Sequence, residues 1–367
     1  MEKNIKISAR QFGILVILYS IGTTILVIPA ILAQEVKQDA WIAVAIGVVI
    51  SILLAVLYIS ISRKFPNMTL VEIIETVLGK WIGKIVSLTF VFFSLYSTSA
   101  LLFYVGNFLT TQIMPDTPIE ATIILFSCIL IMGIRLGIET LARTGEILFP
   151  FFFILFIILV VSVFLPPFQY KFENIQPFFE AGIKPMIRAV LLFTSIFSFP
   201  LVVLLMIFPV SVNQPKVAEK DFFIGILIGG ICLILIVTLV ILCLGPENSA
   251  RQMYPSYALA RMINIGDFFQ RIEAIVATMW IFTIYFKMSL YFYASVIGLA
   301  QIFNLKDYRP LTLPLGVIAV SLSLILYPNV IKSITFDKEI WPLYVSTYGL
   351  ALPFLLLAVS TLRKKLV

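Results

Sequence analysis

The chain has 367 residues, 61% of them hydrophobic and 12% charged, and a formal net charge of +7. Soluble domains are about 45–50% apolar and about 25% charged. This composition therefore excludes a globular water-soluble enzyme, a disordered chain and a single-pass anchor. The absence of histidine removes imidazole relays, imidazole metal ligands and Ser-His-Asp catalysis together.

In chain order, the basic segment Met1–Arg10 precedes an apolar run too long for a signal-peptide core of about 7–15 residues, so the run is read as a retained first span. Ten charge-poor runs follow one another. The first five are Gln11–Ala33, Ala40–Ser62, Ile85–Met114, Ile119–Gly137 and Ile147–Leu165. The second five are Met186–Val210, Phe222–Leu244, Ala274–Phe303, Leu311–Tyr327 and Ile340–Leu362. Each is long enough for a helix crossing a bilayer, and the runs lack the short alternating pattern of barrel strands. Cys128, Cys232 and Cys243 fall inside these runs without metal or disulfide spacing and read as small core side chains.

Pro66–Gly79 reads as a short amphipathic helix. Leu70, Ile73, Ile74, Val77 and Leu78 fall on one helical face, and Thr69 with Glu72 makes a capping box. Tyr257–Ile265 reads as a second short helix in the loop Gly245–Arg271, either a lid or a plain interfacial helix. With the N-terminus in the cytoplasm, 16 Lys and Arg fall on the inner side and 9 on the outer, Lys287 being inside a span. That bias places both termini in the cytoplasm. The basic balance is thus a topology signal and not a nucleic-acid footprint.

Five spans per half is an odd number, so residues 186–362 enter the membrane from the side opposite to residues 11–165. That is the arithmetic of a five-plus-five inverted repeat within one integral membrane domain, 1–367. Broken helices in matching positions point to a binding site in such a fold. Span one carries Ser20-Ile21-Gly22-Thr23-Thr24 near its centre. Span six carries Thr194-Ser195-Ile196-Phe197-Ser198-Phe199-Pro200. A break in span one offers free N–H groups at Thr23 and Thr24, which suit a carboxylate. A break in span six offers free carbonyls near Thr194–Ser198, which suit an ammonium. Together they suit a zwitterionic amino acid; the plain alternative is a pair of kinks.

Spans three and eight carry polar stripes. In span three Ser94, Tyr96, Ser97, Thr98 and Ser99 cluster, and Tyr96 is large enough to reach a ligand. In span eight Thr283, Lys287, Tyr291 and Ser295 share one face. A charge at mid-membrane costs about 2.5–3.5 kcal/mol on insertion scales, so Lys287 is a functional candidate. It reads as an ion-site substitute, a protonatable switch, or a cation bonded to the carbonyls of a broken helix. Walker, GxSxG and HExxH motifs are missing, and no cofactor or metal site is read.

Gln11-Phe12, Gly22 and Ile28-Pro29, with Phe286-Lys287-x-Ser289-Leu290-Tyr291-Phe292-Tyr293 in span eight, resemble the B subunit of Ger-type spore germinant receptors. The resemblance extends over essentially the whole chain. It implies membership of the amino acid–polyamine–organocation superfamily, and an all-α, LeuT-like fold with helices 1 and 6 broken. It also implies a sensor in the spore inner membrane that binds a small germinant, often an amino acid, and acts with an A subunit and a C-subunit lipoprotein. The pocket implied on this chain uses Gly22, Thr23, Thr24, Tyr96, Thr194, Ser195, Ser198, Thr283 and Tyr291, with Lys287 as ion-site residue or switch. One departure is Thr24, where superfamily members often have the second glycine of Gly-x-Gly. The rival readings are a proton- or sodium-coupled amino acid transporter and a scaffold with a vestigial pocket.

Overall fold

The computed structural model describes residues 6–165, 170–263 and 271–364. Among these the regular backbone structure is helical, apart from one isolated bridge between Ile7 and Val212 that ties the N-terminal segment to the end of span six.

The first half contains α1 (Ala9–Ile21), α2 (Thr24–Val36), α3 (Ala40–Lys64), α4 (Leu70–Leu78), α5 (Lys80–Phe108), α6 (Ile119–Leu136) and α7 (Ile138–Val163). The second begins with α8 (Ile183–Phe197), which continues as a 3-10 segment, Phe199–Met206. It goes on with α9 (Pro215–Leu244), α10 (Pro246–Arg251), α11 (Pro255–Met262), α12 (Glu273–Ile302) and α13 (Arg309–Leu326). It closes with α14 (Val330–Glu339), α15 (Trp341–Ser346) and α16 (Leu352–Lys364), the last two joined by a π turn, Thr347–Ala351.

Among the described residues nine helical stretches are long and apolar enough to cross a membrane, against the ten read from the sequence. The difference lies at the start. Helix α1 alone is too short, and Thr24–Lys64 forms one apolar stretch of 41 residues through the 3-10 turn Lys37–Asp39. The expected loop after Ala33 is therefore a single tight turn.

Burial sorts the helices. In its most apolar 18 residues the stretch Ile183–Met206 is 94% buried, whereas the corresponding parts of α7 and α13 are each 28% buried. Spans one, six and eight form the centre, and the peripheral helices show rows of Leu, Ile and Phe to the surroundings, such as Leu125, Ile129 and Met132 on α6. That is the expected arrangement where lipid replaces water as solvent. Close crossings rest on small residues. On α9, Gly225 and Gly229 lie one turn apart against α1. A methyl group at Gly225 would meet Val16 at 2.8 Å, and one at Gly229 would meet the Ser20 hydroxyl at 2.4 Å.

Helix α4 has the expected capping box, Glu72 N–H to the Thr69 hydroxyl and Thr69 N–H to the Glu72 carboxylate. Its apolar face is buried against α5, α12 and α16. Helix α11 matches the second short helix as far as Met262; residues 264 and 265 of that expectation lie outside the described residues. Cys128 is exposed on α6, not in the core as its apolar setting suggested. Polarity says that a residue avoids water, but not whether protein or lipid surrounds it.

Candidate functional site

Helix α1 stops because Gly22 adopts φ +23°, ψ −117°, a conformation that side-chain-bearing residues rarely take. Gly22 still donates its N–H to Leu18 O, and Thr283 on α12 donates its hydroxyl to Gly22 O at 3.4 Å. Helix α2 restarts at Thr24, and no side chain caps its first turn. The Thr24 hydroxyl bridges the break by donating to Ser20 O at 2.9 Å. The first N–H groups of a helix have no partner within it, and its N-terminus carries partial positive charge.

The second interruption comes at Ser198. Helix α8 ends at Phe197, and the chain goes on as 3-10 helix through Pro200, which has no N–H to give. The hydroxyls of Thr194 and Ser195 turn back onto Leu191 O and Leu192 O. Ser198 is hydrogen-bonded to Ser51 on α3, and Tyr58 on α3 donates to Gly349 O in the π turn at 2.6 Å.

Lys287 joins the two breaks. Its Nζ donates to Ile196 O at 2.9 Å and to the Thr23 hydroxyl at 3.3 Å, and lies 5.6 Å from the centre of the Tyr19 ring. The residue is only 3% exposed. Of the readings open for Lys287, the geometry matches a cation bonded to a broken-helix carbonyl. The carbonyl set aside for a ligand ammonium at Ile196 is taken by the protein's own ammonium.

A cavity opens beside this junction. It has a volume of about 50 Å³, room for a few waters. Thr23 lines it at the span-one break and Val27 from α2, Ile196 and Pro200 from the span-six break, and Lys287 and Tyr291 from α12. Helix α5 supplies Ser97, Ala100, Leu101 and Tyr104, and the far wall is Tyr327, Asp337 and Trp341. Ser97 and Tyr104 are seven residues apart, so the lining runs about 10 Å along α5.

Of the residues singled out in the sequence, Thr23, Ser97, Tyr291 and Lys287 line this cavity. Gly22, Thr24 and Thr283 build the span-one break just described. Thr194, Ser195 and Ser198 build the span-six break, and Ser195 O also accepts from the Trp341 indole N–H at 3.0 Å. Tyr96 stands one layer back. Its hydroxyl pairs with that of Tyr327 at 3.2 Å, and its ring packs on Phe336 and Tyr344.

Asp337 is the residue that sequence reasoning missed. It lies on the short polar helix α14, and Tyr104 donates its hydroxyl to Asp337 Oδ2 at 2.6 Å. Burial pushes the carboxyl up to about 7, against the opposing pull of the Tyr104 hydrogen bond. A charged run between two spans gives no periodic signal, so Asp337 looks like an ordinary loop acid. Tyr104 was findable, since it extends the Ser97 and Leu101 face by one step of helical spacing. Neighbouring Lys338 reaches the other way, to Gln34 and to Glu35, whose carboxylate also pairs with Arg188 at 3.5 Å.

Two interrupted helices meeting beside one cavity define a protein of the LeuT-like transporter fold. A nucleobase-cation-symport-1 family transporter, solved in a closed conformation with bromovinylhydantoin bound, matches with a TM-score of 0.65 at 12% identity, over 95% of this chain and 79% of its own. A sodium-coupled sialic acid symporter in a substrate-bound outward-open state matches with a TM-score of 0.60 at 14% identity, over 94% and 77%. At these identities the likeness is one of fold. The chain itself belongs to the spore germination protein family, whose model matches residues 6–331. Spore germination protein KB of Bacillus subtilis strain 168 is 30% identical over 371 residues, covering 100% of this chain and 97% of the relative. Spore germination protein A2 of the same strain is 26% identical, covering 94% and 93%. The family and fold implied by the sequence resemblance are those found.

Proposed function

We propose that this protein is the germinant-sensing membrane subunit of a spore germinant receptor. It holds a small germinant, an amino acid, in the cavity between the two helix breaks. The observation that carries this reading is the placement of Thr23, Lys287 and Tyr291 on one cavity wall beside the break at Gly22. Those three touch the germinant. Gly22, Thr24, Thr194, Ser195, Ser198 and Thr283 shape the breaks, and Tyr96 acts through Tyr327. A ligand that binds one conformation more tightly than another shifts the balance between them, and sensing requires nothing more.

The partners that read this shift are a receptor A subunit and a C-subunit lipoprotein, and the membrane is the spore inner membrane. Counting α1 with α2 as one interrupted span and α3 as the next gives ten spans. These divide into repeats 11–165 and 186–362, with both termini cytoplasmic, in line with the bias of 16 to 9 in Lys and Arg.

A coupled amino acid transporter is the second reading, favoured by the buried Lys287 at the break of span one. Uptake of labelled amino acids into proteoliposomes, with and without a pH gradient, separates the two. Saturable retention of about one ligand per protein, insensitive to the gradient, is the receptor's result. Accumulation above equilibrium establishes the transporter instead.

A further inference from the structure

We infer that Asp337 is the ammonium anchor of the cavity, so that the ligand is a small zwitterion whose carboxylate faces Lys287 and the start of α2. This deepens the binding reading above and rests on it.

The inference starts from charge. Two ionisable groups of opposite sign line one small cavity, Lys287 from α12 and Asp337 from α14. The Lys287 ammonium already donates to Ile196 O and Thr23. A ligand ammonium placed there would meet a like charge and find that carbonyl engaged. A ligand carboxylate there meets the Lys287 ammonium and the partial positive charge of the α2 N-terminus. The ligand's amine then needs an acceptor elsewhere on the wall, and the Asp337 carboxylate is a charged one.

The surroundings of Asp337 suit a cation. Tyr104, Tyr327 and Trp341 line the same end, and aromatic faces attract ammonium groups. Tyr104 occupies Oδ2 of Asp337, and an ionised carboxylate has further acceptor sites on its two oxygens. The small volume favours a short side chain. Asp337 also lies beyond residue 331, the last one that the family model matches. Its neighbour Lys338 ties α14 to Glu35 of α2, so the helix that carries Asp337 is fixed to one that also lines the cavity.

The test is equilibrium binding to the full-length protein in lipid nanodiscs. Tritiated glycine, L-alanine, L-serine and D-glucose serve as direct probes, and propionate serves as a competitor that has a carboxylate but no amine. An amino acid probe is expected to bind the wild type. Asp337→Asn is expected to weaken it about tenfold or more, the cost of losing a hydrogen bond to a charged partner, while propionate competes equally in both proteins. Tyr104→Phe removes the same hydrogen bond yet keeps the carboxylate and the aromatic face, and is expected to lose clearly less affinity than Asp337→Asn. Equal binding by wild type and Asp337→Asn overturns the inference and leaves the binding reading standing. Equal losses in Asp337→Asn and Tyr104→Phe also overturn it, since Asp337 then serves only as a latch. Binding of D-glucose without any amino acid overturns it as well. If none of the probes binds the wild type, the binding reading itself falls, and the inference with it. Size-exclusion profiles of the variants show whether each is folded.

Discussion

The Lys287 side chain passes directly over Gly22. A methyl group at Gly22 would lie 2.4 Å from Lys287 Cδ and 2.9 Å from Tyr19 O. The glycine therefore serves two ends, since it ends α1 with a positive φ and leaves room for the lysine to reach Ile196.

Gly22→Ala is expected to destabilise the protein by about 2 kcal/mol through backbone strain and the clash with Lys287. Thermal unfolding in detergent measures this. Combined with Lys287→Ala, the loss should be smaller than the sum of the two single losses by about 1 kcal/mol, because the shortened side chain removes one of the two clashes. Strict additivity would show that Lys287 does not constrain Gly22.

Lys287→Met keeps a side chain of similar length and removes the ammonium. It leaves Ile196 O without its donor, a cost of about 1–3 kcal/mol, but also removes a buried charge. The folded protein should survive with a small net change. Binding of a carboxylate ligand should fall about tenfold or more, read by the same nanodisc assay. Retained affinity would take Lys287 out of the ligand's reach.

Glu35 pairs with Arg188 at 3.5 Å and with Lys338 at 3.6 Å, and so ties α2 to α8 and α14. Glu35→Gln should loosen α14 by about 1 kcal/mol, roughly fivefold faster hydrogen exchange of its amides. Raising the salt concentration should act in the same direction. Unchanged exchange in α14 would mean that packing alone holds it.

Asp337 gives a pH signature. Its carboxyl is pushed up to about 7 from an ordinary 3.8, so the folded state holds the proton more tightly than the unfolded chain. Stability should accordingly fall as pH rises from about 4 to about 7 and level off above. The groups facing Asp337 are the hydroxyls of Tyr104, Tyr327 and Tyr96. Lys287 shares its cavity, and Lys338 turns away to Glu35. Melting temperatures across this range should slope less in Asp337→Asn than in wild type. Binding of an amine-bearing ligand should strengthen over the same rise in pH.

The sequence by itself determined the membrane class, the apolar runs, the capped helix α4, the breaks at Gly22 and before Pro200, and the family. These are local properties. Apolar periodicity, a capping box, a mid-span glycine and a mid-span proline act on their own stretch of chain whatever lies beside it. The first turn, Lys37–Asp39, escaped because charged residues look like a loop whether they form one or a single tight turn. The tertiary structure alone decided which polar groups meet. Lys287 finds Ile196 91 residues away, and Asp337 finds Tyr104 across 233 residues. Tyr96 is drawn behind Tyr327 by the aromatic packing of α14 and α15. Such pairings follow from how helices pack, and that information is spread over many side chains at once.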